Sequence, residues 1–413
     1  MTSNNLNKRV LYIATAAVVI LFSGHALQTI LPYTVYMILM AAAVTFPFTA
    51  QEIVQKNLNM PRWALLALTV MVGLTLIRVL GASFLTYAFM LAVIFVAYRV
   101  SESFEFEDVM SIFLSTMTFV TLVSLVGYIL VNTGGTLSFL PVYKNFNGIE
   151  YAVGIVFNYI LSAPERNCGM FWEPGMFATL LTYAIVVEIA FNKSKPRLFR
   201  LIVYSAGILT ANSTAGFVLL ALALILLIAR NRNDKHLYYI ASGLVLLVLI
   251  LSPIVILNLD TIINSTFLGQ NQYIQKLLSE NLKEQTRIMS FATNFEIFLE
   301  NPFFGAGIIP NEMQNKYVAD TSTSTFLLAS FGILGALYTV YLIYGVLRQK
   351  NLNTLSKIIV VVILLIIVNK EPHHQILFTW CLIFFMLKSD ELSVTTRKER
   401  SDEDASQAEK SEA

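Results

Sequence analysis

Charge is scarce in these 413 residues: 28 Lys and Arg against 26 Asp and Glu leave only 13% of the chain charged, about half the ~25% usual in soluble domains. With so even a balance there is no basic surface to attract nucleic acid, and none is expected as a partner. Cysteine is scarcer still. Cys168 and Cys381 are the only two, which excludes a disulfide framework or a cysteine-rich metal site; one falls in a loop and the other in an apolar run, so they are read as unpaired. Four histidines, two of them adjacent, leave little for a histidine metal cluster, and no aspartate-rich metal motif accompanies them. Apolar residues fill the chain instead. They make up 56% of it and occur in runs of the ~17–25 residues that cross a bilayer as helices. The first run leads into a second with no small-residue cleavage pattern, so a cleavable signal peptide is not expected.

The runs place helices near 10–31, 33–50, 63–80, 82–98, 109–132, 175–192, 198–211, 213–229, 237–257, 321–347, 357–369 and 376–388. Two short pairs are split at polar breaks, Ala211-Asn212-Ser213-Thr214 and Asn369-Lys370-Glu371-Pro372-His373-His374-Gln375. Charge supports the splits. With both termini cytoplasmic, 20 of the 28 basic residues fall on inside segments, as the positive-inside rule requires. The expected fold class is an all-α polytopic membrane protein of about 12 transmembrane helices. Residues 1–388 form one domain, and the acidic stretch 389–413, nearly free of apolar residues, is a disordered cytoplasmic tail.

Two outer loops, about 133–174 and 258–320, are long, and loops of that length in a compact bundle are usually functional or disordered. These are too aromatic for disorder. The first carries Phe139, Tyr143, Phe146, Tyr151, Phe157, Tyr159, Phe171 and Trp172. The second carries an amphipathic stretch with Leu278, Leu282, Phe291, Phe295 and Phe298, ended by Asn301-Pro302. No internal repeat is visible, which weakens a transporter built from inverted repeats. The deep ionisable candidates are Arg78 and Glu188, both within about a turn of a helix end, where snorkelling accounts for them.

The segment Arg166-Asn167-Cys168-Gly169-Met170-Phe171-Trp172-Glu173-Pro174 closes the first loop. Arg166 offers a planar fork of donors suited to phosphate oxygens; a lipid-headgroup anchor is the plainer alternative. Glu173 before Pro174 reads as a helix start, its carboxylate favoured by the helix dipole. Arg287 heads the second amphipathic stretch, on the face of Phe291, and that face is expected to turn toward the bundle. Gly305-Ala306-Gly307 is read first as turn chemistry, and Thr321-Ser322-Thr323-Ser324-Thr325 as hydroxyl caps of a helix. Lys370, His373 and His374 fill the last outer connection, and histidine is the side chain best matched to general-base work near neutral pH. The Thr210-Ala211-Asn212-Ser213-Thr214 break is unwound backbone near membrane depth, tolerated only against protein or a water-filled cavity. Arg166, Arg287 and Arg78 together fit a metal-free site for a pyrophosphate leaving group.

At these residues the chain resembles the O-antigen polymerase and O-antigen ligase superfamily of bacterial membrane glycosyltransferases. The resemblance rests on Arg166, Gly169, Glu173 and Pro174, on the Thr-Ala-Asn-Ser-Thr break, and on Arg287 followed by Asn301-Pro302-Phe303-Phe304-Gly305-Ala306-Gly307. Gly332-Ile333-Leu334-Gly335 after the Ser/Thr run, and Lys370 with Pro372-His373, complete it. It implies a GT-C-like enzyme of the bacterial inner membrane, with its active site extracytoplasmic and no cofactor. By resemblance, a glycan on undecaprenyl pyrophosphate passes to a sugar hydroxyl, with Arg166 and Arg287 holding the pyrophosphate and His373 as the substitute guess for the base. Arg78, Tyr159, Trp172, Glu173, Lys370 and His374 are the expected substrate-binding residues. The expected partners are undecaprenyl-pyrophosphate-linked oligosaccharides, the bilayer and a chain-length regulator protein. Ligases of the superfamily commonly carry a His-Asn pair where this chain has Asp320-Thr321-Ser322-Thr323-Ser324. Its absence favours a repeat-unit polymerase over a ligase, and short cytoplasmic loops argue against the other alternative, a lipid-linked oligosaccharide flippase or transporter.

Overall fold

A computed structural model describes residues 18–31, 35–36, 38–39, 42, 62–78, 84–134, 139–145, 148–154, 156–192, 197–230, 287–308 and 322–394. The expected spans at 33–50 and 237–257 lie wholly or almost wholly outside these residues, as do Leu278, Leu282 and residues 395–413. The described chain is mostly helical: α1 Arg62–Arg78, α2 Phe84–Ser103, α3 Phe106–Asn132, α4 Pro174–Val186, α5 Leu198–Ala211, α6 Thr214–Arg230, α7 Arg287–Glu300, α8 Thr323–Phe331, α9 Ala336–Leu347, α10 Thr354–Val368 and α11 Leu377–Lys388. Among the described residues, three stretches are long and apolar enough to cross a membrane: Phe106–Asn132, Pro174–Phe191 and Thr323–Leu347. Of the twelve expected spans, those at α1, α5, α6, α10 and α11 are shorter apolar helices. At 14 residues α5 reaches about 21 Å at ~1.5 Å per residue, short of a ~30 Å hydrocarbon core.

Strands enter where only an ordered loop was expected. β1 Val142–Lys144, β2 Glu150–Val153 and β3 Asn158–Ile160 form an antiparallel sheet in the order β1-β2-β3, with Tyr143 opposite Tyr151 and Ala152 opposite Tyr159. Tyr151, Val153 and Ile160 bury one face of it around Cys168.

The apolar run expected as one span over 10–31 also breaks. Helix covers residues 18–21, then Gly24 takes a positive φ of 92°, a conformation glycine adopts without steric cost. From there the backbone serves the loop instead of a helix: the Trp172 amide donates to Gly24 O, and the Ala26 amide to Met170 O. The run over 321–347 is interrupted likewise, by a 3-10 turn Gly332–Gly335. Gly332 has φ 63°, and a Cβ there would stand 2.5 Å from the Phe303 carbonyl. The Ile333 amide donates to Pro302 O and the Gly307 amide to Ser330 O. The two glycine motifs of the sequence therefore meet, and they serve a close backbone crossing.

The described connections gather at two opposite ends. At one, Lys388 Nζ donates to Ser101 O and Phe104 O, Arg230 Nη1 to Asn351 O, and the Val394 amide to Phe191 O; every one of these was expected inside. Ser389–Val394 is packed here, not disordered: Leu392 and Val394 are buried, and Gln349 brackets the segment by donating to Ser389 O and accepting from the Leu392 amide. Glu188, expected to snorkel, is instead 0% exposed. It lies in a π-helical turn, Val187–Phe191, at the end of α4, and its carboxylate accepts from Asn192 Nδ2, the Arg197 amide and Arg200 Nη1. At the other end lie the breaks 22–26, 166–173, 210–213, 301–308 and 369–376.

Candidate active site

α4 carries the second end. All thirteen of its residues are buried, so it runs through the middle of the packed helices, and Pro174 starts it with a φ suited to a first turn. Glu173 occupies the N-cap position in extended conformation yet makes no side-chain capping hydrogen bond. Its Oε1 is buried and has no hydrogen-bond partner among the described residues. The carboxylate folds toward Gly175, where a Cβ would meet Glu371 Oε1 at 2.9 Å, Glu173 Oε1 at 3.2 Å and Lys370 Nζ at 3.3 Å. The missing side chain is what admits three charged groups to one spot. Lys370, buried, donates from Nζ to Gly175 O at 2.7 Å and to Thr179 Oγ1 at 3.4 Å.

The Ser/Thr run docks on the same connection. Thr323 Oγ1 donates to Glu371 O and accepts the His373 amide, at 2.9 and 2.7 Å. Ser322 sits at the N-cap of α8 without capping it; Asn369 Oδ1 accepts from the Ser324 amide and from Ser322 Oγ, so the capping oxygen is lent by a neighbouring helix end. His373 is fully buried, with Nδ1 2.8 Å from Thr379 Oγ1, the Tyr183 ring edge-on at 5.9 Å, and Nε2 lacking a hydrogen-bond partner among the described residues. His374 stacks on Phe326 at 4.5 Å. Burial first, then the Lys370 charge, pushes His373 down to about 3, and burial pushes His374 to the same value. Both imidazoles are neutral near pH 7.

Because the unfolded chain protonates these rings near 6.5 while the folded one does so near 3, stability rises with pH through that window and falls as pH drops into it. The unfolding temperature in detergent should therefore decline from pH 7 to pH 5, and His373→Asn should flatten that decline. An unchanged pH slope in the variant would contradict it.

Arg166 stands in the turn after β3. Its amide donates to Ala163 O, and its neighbour Asn167, 1% exposed, fastens the turn to two helices. The Asn167 amide donates to Thr210 O at 3.0 Å; Nδ2 donates to Thr210 Oγ1 at 3.1 Å and Ser124 Oγ at 3.2 Å; Oδ1 accepts the Gly169 amide at 2.9 Å. The helix break after Thr210 thus faces protein, and Asn212 turns the chain there with φ 49°. Between Arg166 and Glu173 lies Cys168, whose thiol is pushed up to about 12 by burial, pulled down by Arg166 and raised further by Glu173. Both charges lie within electrostatic reach of one sulfur. Asn167→Ala strands several buried partners and should cost about 1–3 kcal/mol. The same change should lower activity beyond its effect on protein amount, whereas Asn167→Asp, keeping the acceptor for Gly169, should lose less.

Tyr159 is half-buried and stacks on Phe157 at 6.1 Å. Trp172 is half-buried, its backbone O accepting the Tyr151 hydroxyl at 2.6 Å. Arg78 ends α1 and Arg287 begins α7; their side chains lie outside what the structure describes. The face expected to carry Arg287 toward the bundle turns the other way. Phe291 and Phe295 are exposed, while Asn294 and Ile297 are buried and Asn294 Nδ2 donates to Thr325 Oγ1. Glu296, Leu299 and Glu300 share the exposed side with the two phenylalanines. The structure therefore brings Glu173, Lys370 and Glu371 together, joins His373 to them through Thr323, and sets Arg166 nearby. Sequence reading missed Asn167 and Glu371; an amide bracketed by hydroxyl-rich breaks was the signal for the first.

Long apolar helices packed around a buried one, with charged groups collected at its N-terminal end, define an integral membrane protein with a candidate polar site at one end of the bundle. Residues 10–265, more than half the chain, match the family model described as WcaD colanic acid polymerase, and the chain belongs to that family. Membership makes it a polymerase of polysaccharide biosynthesis, an enzyme of glycosyltransferase type. A comparison with curated proteins finds no match.

Proposed function

We propose that the chain joins oligosaccharide repeat units carried on undecaprenyl pyrophosphate, working without metal on the extracytoplasmic face of the bacterial inner membrane with both termini cytoplasmic. The carrying observation is the meeting, at the N-terminus of α4, of the Arg166 turn with Glu173 and Lys370 in a chain of this polymerase family. A non-reducing-end hydroxyl of the incoming unit attacks the anomeric carbon of the growing chain, and the bond to the pyrophosphate breaks. Arg166, with Arg287 from the second loop, neutralises charge as it develops on the departing pyrophosphate. Tyr159 and Trp172 offer flat apolar surface with polar edges to sugar rings. His373 fits the base role poorly, since efficient proton acceptance wants a pKa near the working pH and burial removes it from that range. Its geometry fits the holding of Thr323 and Thr379.

The test is deletion of the gene in its host followed by complementation, with surface and lipid-linked glycans resolved on gels. Single-repeat products in the deletion, restored to long chains by the wild type, are the expected result. Long chains accumulating on undecaprenyl pyrophosphate would assign a ligase instead, and repeat units trapped on the cytoplasmic side a flippase.

A further inference from the structure

We propose that Glu173 is the general base of the transfer, taking the proton of the attacking hydroxyl. The inference rests on the polymerase reading and supplies the group which that reading leaves open. Glu173 is not used as a capping acceptor. A polar side chain at an N-cap commonly accepts a backbone N–H, and this one accepts none. An oxygen of its carboxylate is buried with no hydrogen-bond partner among the described residues, the costly condition that a substrate hydroxyl would relieve. The residue as a whole is only half-buried, so part of it lies open while that oxygen is covered.

Its surroundings suit the task. Trp172, the adjoining residue, has its backbone held at both ends, the amide by Gly24 O and the carbonyl by the Tyr151 hydroxyl, which fixes the chain entering Glu173. Arg166, on the same loop, shares the Cys168 thiol's electrostatic surroundings with Glu173, so the group that takes a proton and the group that receives the leaving charge stand in one neighbourhood. Lys370 Nζ lies at the same spot beside Gly175, a positive charge next to the carboxylate. In the step itself, the acceptor O–H bond breaks with its proton passing to Glu173, the oxygen forms the glycosidic bond, and the C–O bond to pyrophosphate breaks with its electron pair leaving on phosphate. The proton returns to water when product departs.

The experiment uses the full chain in lipid nanodiscs with synthetic lipid-pyrophosphate-linked repeat units, comparing wild type, Glu173→Gln and Glu173→Asp over acceptor concentration and pH. A base predicts kcat down about 10²–10⁴-fold in Glu173→Gln, an unchanged acceptor KM, and loss of the acid limb of the pH profile. A variant within tenfold of wild type, or one changed in KM alone, would overturn the assignment. If the glutamine variant does not fold, Glu173→Asp decides. A carboxylate withdrawn by one methylene loses at least about tenfold in kcat, as misplacement by an ångström does, and keeps the acid limb; undiminished kcat overturns the proposal. Wild type that binds the substrate and makes no polymer would sink the polymerase reading, and the base assignment with it.

Discussion

Arg166→Ala should abolish long-chain glycan in the complemented deletion strain while leaving the protein at wild-type abundance. Removing one preorganised donor from a developing anion costs about 10²–10³ in turnover, or roughly 2.7–4 kcal/mol of transition-state stabilisation. An arginine on a pyrophosphate exceeds a neutral donor in charge. Asn167 fastens the turn through its own amide and side chain. Stability and activity should therefore separate. Arg166→Lys should recover only a small part of the rate, since an ammonium keeps the charge and loses the planar fork. Polymer of normal length from Arg166→Ala would remove this residue from the site.

Glu188→Ala should act in the opposite way, on the fold and not on the chemistry. The carboxylate is fully buried and its partner Arg200 is 14% exposed at 3.1 Å, so water screens the pair little. Deleting one member strands a guanidinium, a backbone amide and the Asn192 side chain together. Breaking a buried pair from one side costs about 3–5 kcal/mol, enough to reduce the amount of folded protein in the cell several-fold. Glu188→Gln, which keeps the acceptor, should lose less. A double-mutant cycle with Arg200→Met checks the mechanism: the two changes should be strongly non-additive. Normal abundance and thermal stability of Glu188→Ala would refute it.

Helix ends were readable wherever a polar break coincided with a change of direction. α5 begins and ends where the sequence placed it, at 198 and 211, and α11 within a residue of expectation. Charged residues near helix ends misled more. Glu188 and a snorkelling glutamate look alike in sequence; what separates them is Arg200, twelve positions away across a π-helical turn. The sheet escaped because strands of three or four residues give too little alternation to register. The N-terminal break escaped because Gly24 is a single glycine in an apolar run, and its reason, a strand-like pairing of His25 with Phe171, lies far along the chain. For the candidate site, the residues that the sequence singled out in the first loop and the last connection, Glu173 and Lys370, meet at one end of the bundle. Which of them shared a spot was decided by Gly175, whose lack of a side chain says nothing until the fold is seen.

The complete enclosure of α4 limits how the lipid-linked substrate proposed above would reach the site. A helix sealed on every side gives a polyprenyl tail nothing to lie against, so the tail must stay in the bilayer and the head group alone reach inward. α3 offers the outside rail. Phe119, Leu122, Val126 and Ile129 are exposed along one face of it, and at its last turn Asn132 Nδ2 donates to Pro164 O, two residues before Arg166. On the proposed reading, a carrier moving along that face would bring its phosphates to Arg166 while its hydrocarbon stayed in the membrane.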